Sequence, residues 1–145
     1  MIMTIHMIKL AVGVEDLAHL AQIQEHYRVR YLGDWAVPIR TRLKPAKAND
    51  ILNGGSIYRV VKGRIQCRQD VLGFEEAQSA DRGTQCLIMA SCVLMQTVSV
   101  PHRPFQGWRY LDPLKAPLDT GVFDPSQTDS IPQDIAAALS SAGLL

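Results

Sequence analysis

Signatures of catalysis are the first thing this sequence lacks. It has no G-x-S-x-G elbow, no G-x-x-x-x-G-K-[ST] loop and no H-E-x-x-H helix, so serine-hydrolase, P-loop and zincin chemistry have no support in it. Cysteine is scarce. The three thiols, Cys67, Cys86 and Cys92, include no C-x-x-C pair, which excludes a zinc ribbon or a thioredoxin-type site. An odd number of thiols fits a reducing compartment. Cys67 and Cys86 sit among apolar neighbours and read as core residues. Of the four histidines, His19 and His26 fall on one helical face, but two turns separate them by about 10 Å, too far for a shared ion. No metal and no cofactor is expected. Long apolar runs are missing too. Residues 1–14 contain His6 and Lys9, which excludes a membrane span, and they lack the basic start and cleavage site of a secretion signal. A cytoplasmic protein is expected.

Neither sign of charge dominates: 15 Lys+Arg stand against 14 Asp+Glu in 145 residues that are 47% hydrophobic. That composition excludes low-complexity disorder over most of the chain and suffices for one domain with its own core.

Residues 7–14, MIKLAVGV, read as a buried strand. Glu15 and Asp16 then open a helix, where acidic side chains suit the positive end of the dipole. Leu20, Ile23, Tyr27 and Tyr31 give it an apolar stripe, and Gly33 is placed to end it. Residues 35–43 read as a strand, with Pro38 favouring an edge. Residues 46–52 read as a short helix closed by Asn53-Gly54-Gly55, residues 56–72 as a β-hairpin, and 85–90 and 93–100 as two further strands. From Asp112 onward five aspartates face the single base Lys115, with four prolines among them. This reads as an extended tail that ends in a short helix from about Ser130. The expected architecture is α+β: a small curled or barrel-like mixed sheet with an N-terminal helix packed against it. Residues 1–120 form the domain and 121–145 the acidic tail.

The basic residues are unevenly spread. Between Arg40 and Arg68 there are eight bases and one acid, Asp50, a net +7 in a chain of net +1. Arg40, Arg42 and Lys44 are spaced by two and share a face if extended. With Lys62-Gly63 as a two-residue turn, Val61 opposes Arg64, Val60 opposes Ile65, Arg59 opposes Gln66, Tyr58 opposes Cys67 and Ile57 opposes Arg68. Arg59, Arg64 and Arg68 then crowd one outward face. Such opposition costs roughly a few tenths to 1 kcal/mol per pair, and an anion, or the acidic tail folded back, would offset it. Residues 101–111 add Arg103 and Arg109 beside Trp108 and Tyr110.

Three segments carry a resemblance. They are HMIKLAVGV from His6, DILNGGSIYRVVKGR from Asp50 with the following Arg68-Gln69, and RPFQGWRYLD from Arg103. Together they resemble the uncharacterised bacterial domain-of-unknown-function family numbered 1489, over residues 6–120. That resemblance implies domain bounds and a bacterial setting but no catalytic residue. A looser likeness lies in an early helix, the turn Leu52-Asn53-Gly54-Gly55 before a strand, and a hairpin ending in Arg68-Gln69. These look like the small PUA-like barrels of the ASCH and EVE types, where Gly-Asp often stands in place of Gly-Gly. The likeness implies RNA or a modified base held in a cleft beside a barrel.

Three functions compete. The first is an RNA- or nucleotide-binding module in which Arg40, Arg42, Lys44, Arg59, Arg64, Arg68, Arg103 and Arg109 hold phosphates while Tyr58, Trp108 or Tyr110 stacks on a base. The second is a small enzyme for an anionic, nucleotide-like substrate, with Asp70 and His102 as an acid–base pair. The third is a protein-interaction adaptor whose C-terminal helix docks on a partner or on its own domain. A plain solvated basic face stands beside all three.

Overall fold

A computed structural model describes residues 3–126 of the chain. The elements are β1 (His6–Leu10), α1 (Leu17–Tyr27), β2 (Val29–Tyr31), β3 (Asp34–Thr41), α2 (Ala48–Leu52), β4 (Ser56–Val61), β5 (Arg64–Ser79), β6 (Gly83–Ser91), β7 (Met95–Pro101), β8 (Trp108–Leu111) and β9 (Asp119–Val122), with a 3-10 turn at Pro113–Lys115. The nine strands make one mixed sheet in the order β2-β3-β6-β5-β4-β1-β8, from which β7 branches off β5 and carries β9. Among the described residues only β1 and β4 pair in parallel. The class is therefore α+β, as expected, but the sheet is open. Its terminal strands, β2 and β8, do not join among the described residues, so no closed barrel forms.

The sixteen-residue β5 gives the sheet its shape. Its first half lies between β4 and β7, and its second half pairs with β6 across a register shift at Val71/Gly73. One strand thus serves two wings, the usual way for a sheet to turn a corner over itself. The main core sits where the wings face each other: Met7 and Ile57 from one meet Val37, Ile39, Ile88 and Ala90 from the other, and Ile51 of α2 closes the end. Each of the larger of these side chains, Val, Ile and Met, contributes roughly 1.5–3 kcal/mol of burial. A second cluster lies under α1, and a third covers the far face around Ile8, Tyr58, Val60 and Ile65.

The helix is shorter than its pattern suggests. Asp16 caps it, its carboxylate accepting from the His19 amide at 2.8 Å. Leu17, Leu20 and Gln24 form its buried face, while Tyr27 is exposed. The chain then turns back as β2, whose Val29, Arg30 and Tyr31 pair with Ala36, Trp35 and Asp34. Leu32 and Gly33 both take positive φ, as a tight hairpin turn demands. Gly33 belongs to that turn and not to a helix end. Pro38 is tolerated in β3 because β2 stops pairing at Ala36 and leaves that edge free beyond it.

The stretch from Asp112 is no loose tail as far as residue 126. Asp112 caps the 3-10 turn through the Leu114 amide, β9 pairs with β7, and the Phe123 amide donates to the Leu94 carbonyl at 2.8 Å. Strand β9 runs across the expected boundary at residue 120. The expected terminal helix lies outside the described residues.

Candidate functional site

The hairpin turn falls at Lys62-Gly63, both with positive φ, and Val61 opposes Arg64 and Val60 opposes Ile65 as the sequence indicates. Beyond that the register departs. Gln66 is an extra residue at a bulge, so Arg59 opposes Cys67, Tyr58 opposes Arg68 and Ile57 opposes Gln69. The bulge flips every later side chain to the other face, and the three arginines do not share one.

Each has its own surroundings. Arg59 points into the protein and is only 7% exposed. Arg64 is exposed and donates to Ser99, to Oγ at 2.6 Å and to the carbonyl at 3.1 Å. Arg68 is clasped by carboxylates: it donates to both oxygens of Asp119, at 2.8 and 2.7 Å, and to Asp70 at 3.0 Å, and also reaches Ser56 Oγ. The acidic stretch has folded back onto this arginine. Asp119 is held below the ordinary carboxylate range by its bond to Arg68. The same pair sits over a cavity of about 290 Å³ that His6 and Tyr58 also line. His6 Nδ1 accepts from the Ser56 amide at 2.9 Å, and burial, then Arg68, lower its pKa. Burial raises that of Tyr58, which is too enclosed to serve as a stacking platform.

Arg103 and Arg109 lie on the surface near Phe105, with the Arg109 guanidinium 4.8 Å from that ring. Trp108 and Tyr110 pack edge to face, half-buried against the main core. The Trp108 indole donates to the Leu43 carbonyl at 2.9 Å, and the Tyr110 hydroxyl accepts from the Lys47 amide at 3.1 Å. Both rings fasten the segment after β3 to strand β8. Asp70 and His102 are not brought together: Asp70 is held by Arg68 and Ser56, while the His102 ring meets Phe105 and the Arg103 carbonyl.

What the fold does assemble is a cleft between the ends of the two wings. It has a volume of about 520 Å³, and its charged lining consists of Lys9 from β1, Arg40 and Arg42 from β3 and its exit, and Arg82 from the β5–β6 turn. No carboxylate among the described residues lines it. Among the described residues, none of the four cations forms an ion pair, and Arg40 reaches only Gln85 Oε1, at 3.4 Å. Lys9 pairs with Trp108 on β8 and with Arg59 on β4, so its side chain shares their face. Burial, then Arg59, lowers its pKa. A neighbouring cavity of about 500 Å³ continues past Arg42 to Lys44 and Phe74, and Glu75 and Glu76 line it as well. The spacing of Arg40, Arg42 and Lys44 foretells their grouping. Lys9 and Arg82 come from distant parts of the chain, and only the lysine left a trace, as a charge inside an apolar run.

A mixed α+β fold with an open, bent sheet and a cleft lined by four cations is the class the structure defines. The chain belongs to the family described as protein of unknown function, DUF1489, whose model matches residues 7–145. No curated protein and no solved structure matches it. Among the described residues no helix is long and apolar enough to cross a membrane.

Proposed function

We propose that this protein binds single-stranded RNA, or the phosphates of a nucleotide, in the cleft between the wings. One observation carries the reading: four cations line that cleft, and no carboxylate lines it or pairs with them among the described residues. Such a site lowers its own electrostatic energy by taking a polyanion. Lys9, Arg40, Arg42 and Arg82 hold phosphates, Lys44 extends the track, and Phe74 offers a ring beside it. Trp108 acts as a positioning residue that fixes the segment carrying Arg42 and Lys44. A PUA-like mode of binding rests on analogy with the sequence pattern alone, and the cleft supports RNA binding without it.

The test is fluorescence anisotropy with a labelled 12-nucleotide oligouridine, with uridine monophosphate as competitor. Four neutralised phosphates give a slope of about −3 in log K against log salt, a loss of roughly fifty-fold in affinity between 50 and 200 mM. The double variant Arg42→Glu, Arg82→Glu weakens binding by at least tenfold, whereas Arg103→Glu with Arg109→Glu leaves it within about twofold. Undetectable binding at 50 mM salt, or equal loss in both double variants, defeats the proposal.

A further inference from the structure

On the same face of the sheet as Lys9, the Arg59 side chain leads away from the basic cleft to a hollow beneath α1. It measures about 220 Å³ between the helix, β3 and the β1–α1 loop; its walls include Val14, Ile23, Val37 and Ile39, the exposed Tyr27 also lines it, and its buried polar lining is Gln24 and Arg59. Both polar side chains are buried, at 3% and 7% exposure.

A buried guanidinium ordinarily has a carboxylate, because an unpaired charge in a low dielectric is costly. Arg59 has none among the described residues. It donates instead to neutral acceptors: the Lys9 carbonyl at 3.4 Å, the Leu10 carbonyl at 3.5 Å and Gln69 Oε1 at 3.2 Å. Gln69 is turned to accept because its own amide donates to Gln24 and to the Ser91 carbonyl, and Gln24 in turn donates to the Cys92 carbonyl at 3.1 Å. The guanidinium is therefore held rigidly by a chain of dipoles, with three of its five N–H groups used. Burial pushes its pKa down to about 10, and the Cys67 thiol beside it up to about 12, so at neutral pH the cation faces a neutral thiol.

We propose that this hollow is a binding site for a small carboxylate with an apolar body, Arg59 serving as its counter-ion. The remaining N–H groups match a carboxylate better than a spherical anion, since the guanidinium fork is planar. The apolar walls select the body. An apolar cavity of ~150 Å³ accommodates benzene, so this volume takes one ring and its acid group. The proposal does not depend on RNA binding.

The experiment compares phenylacetate, acetate and phenylacetamide by isothermal titration calorimetry on the full chain. Phenylacetate binds at least tenfold more tightly than either analogue, because acetate lacks the ring and the amide lacks the charge. Arg59→Gln abolishes the preference for the acid over the amide. Ile23→Trp, which fills the hollow from its half-buried wall and leaves Arg59 in place, weakens phenylacetate by at least tenfold even if the arginine variant fails to fold. Arg42→Glu, in the basic cleft, leaves it unchanged. No heat with phenylacetate at millimolar concentration, equal affinity for acid and amide, retention in Ile23→Trp, or loss in Arg42→Glu overturns the assignment.

Discussion

His6 and Asp119 lie over one cavity and titrate in different ranges. The His6 ring accepts a hydrogen bond at Nδ1 from the Ser56 amide, so the native state holds it neutral. Its folded pKa lies below the ordinary 6.5 through burial and then Arg68. The unfolded chain therefore binds the proton more readily, and the stability that the neutral ring contributes is complete above about 6.5 and declines as pH falls through the folded value. The Asp119 carboxylate follows the same sign lower down: its contribution is present above the ordinary 3.8 and is lost as pH falls through its depressed native value. Thermal melts at closely spaced pH values should show two separate declines. His6→Asn, whose amide oxygen can replace Nδ1 as acceptor, should remove the upper one, and Asp119→Asn should shrink the lower, in which Asp81, held down by its bond from Ser79, also shares. A single decline unaffected by either substitution would contradict this reading.

At the scale of elements, the junction of α2 with β4 is a tight passage between backbone segments. A Cβ on Gly55 would collide with the carbonyl oxygens of Ile5 and Ile51, backbone atoms with nowhere to move, whereas a Cβ on Gly54 meets open space despite its positive φ. Gly55→Ala should therefore cost about 3 kcal/mol and Gly54→Ala about 1 kcal/mol, read from urea denaturation; the reverse order would show that conformation and not crowding governs the turn. The dipeptide was legible as a helix stop, but which of its two residues is indispensable was not, because part of the crowding comes from the Ile5 carbonyl, fifty positions earlier in the chain. The hairpin teaches the same lesson. Lys62-Gly63 announces its turn through local chemistry. The bulge at Gln66 leaves no mark in Ile65-Gln66-Cys67-Arg68, since one extra residue merely exchanges two acceptable alternations. Gly33 misleads because a glycine that ends a helix and one that completes a tight turn need the same left-handed backbone. Arg40 and Arg42 in the cleft and Lys44 in the cavity beside it share a local spacing and could be grouped from the sequence, while Lys9 and Arg82 join the cleft only through long-range pairing.

Across the whole molecule, the +7 segment does not build one continuous basic face. Arg59 is inside, Lys62 pairs with Glu15 at 2.7 Å, Arg68 with Asp70 and Asp119, and of the rest Arg40 and Arg42 open into the cleft. The wings that frame it are tied by the bond from the Trp108 indole to the Leu43 carbonyl. Trp108→Phe keeps a ring in the core and removes that donor. It should cost only about 1 kcal/mol of stability yet weaken oligouridine binding severalfold, because the segment bearing Arg42 and Lys44 loses its anchor; unchanged affinity would place the tie outside the binding machinery. The long strand β5, shared by both wings, carries a consequence of another kind. Neither half of the molecule can acquire its hydrogen-bond ladder while that segment is unformed, and β1 must wait for β4, some fifty positions away. Such topology makes for sluggish refolding from denaturant and for a nascent chain whose bare ladder edges invite self-association before the last partner arrives.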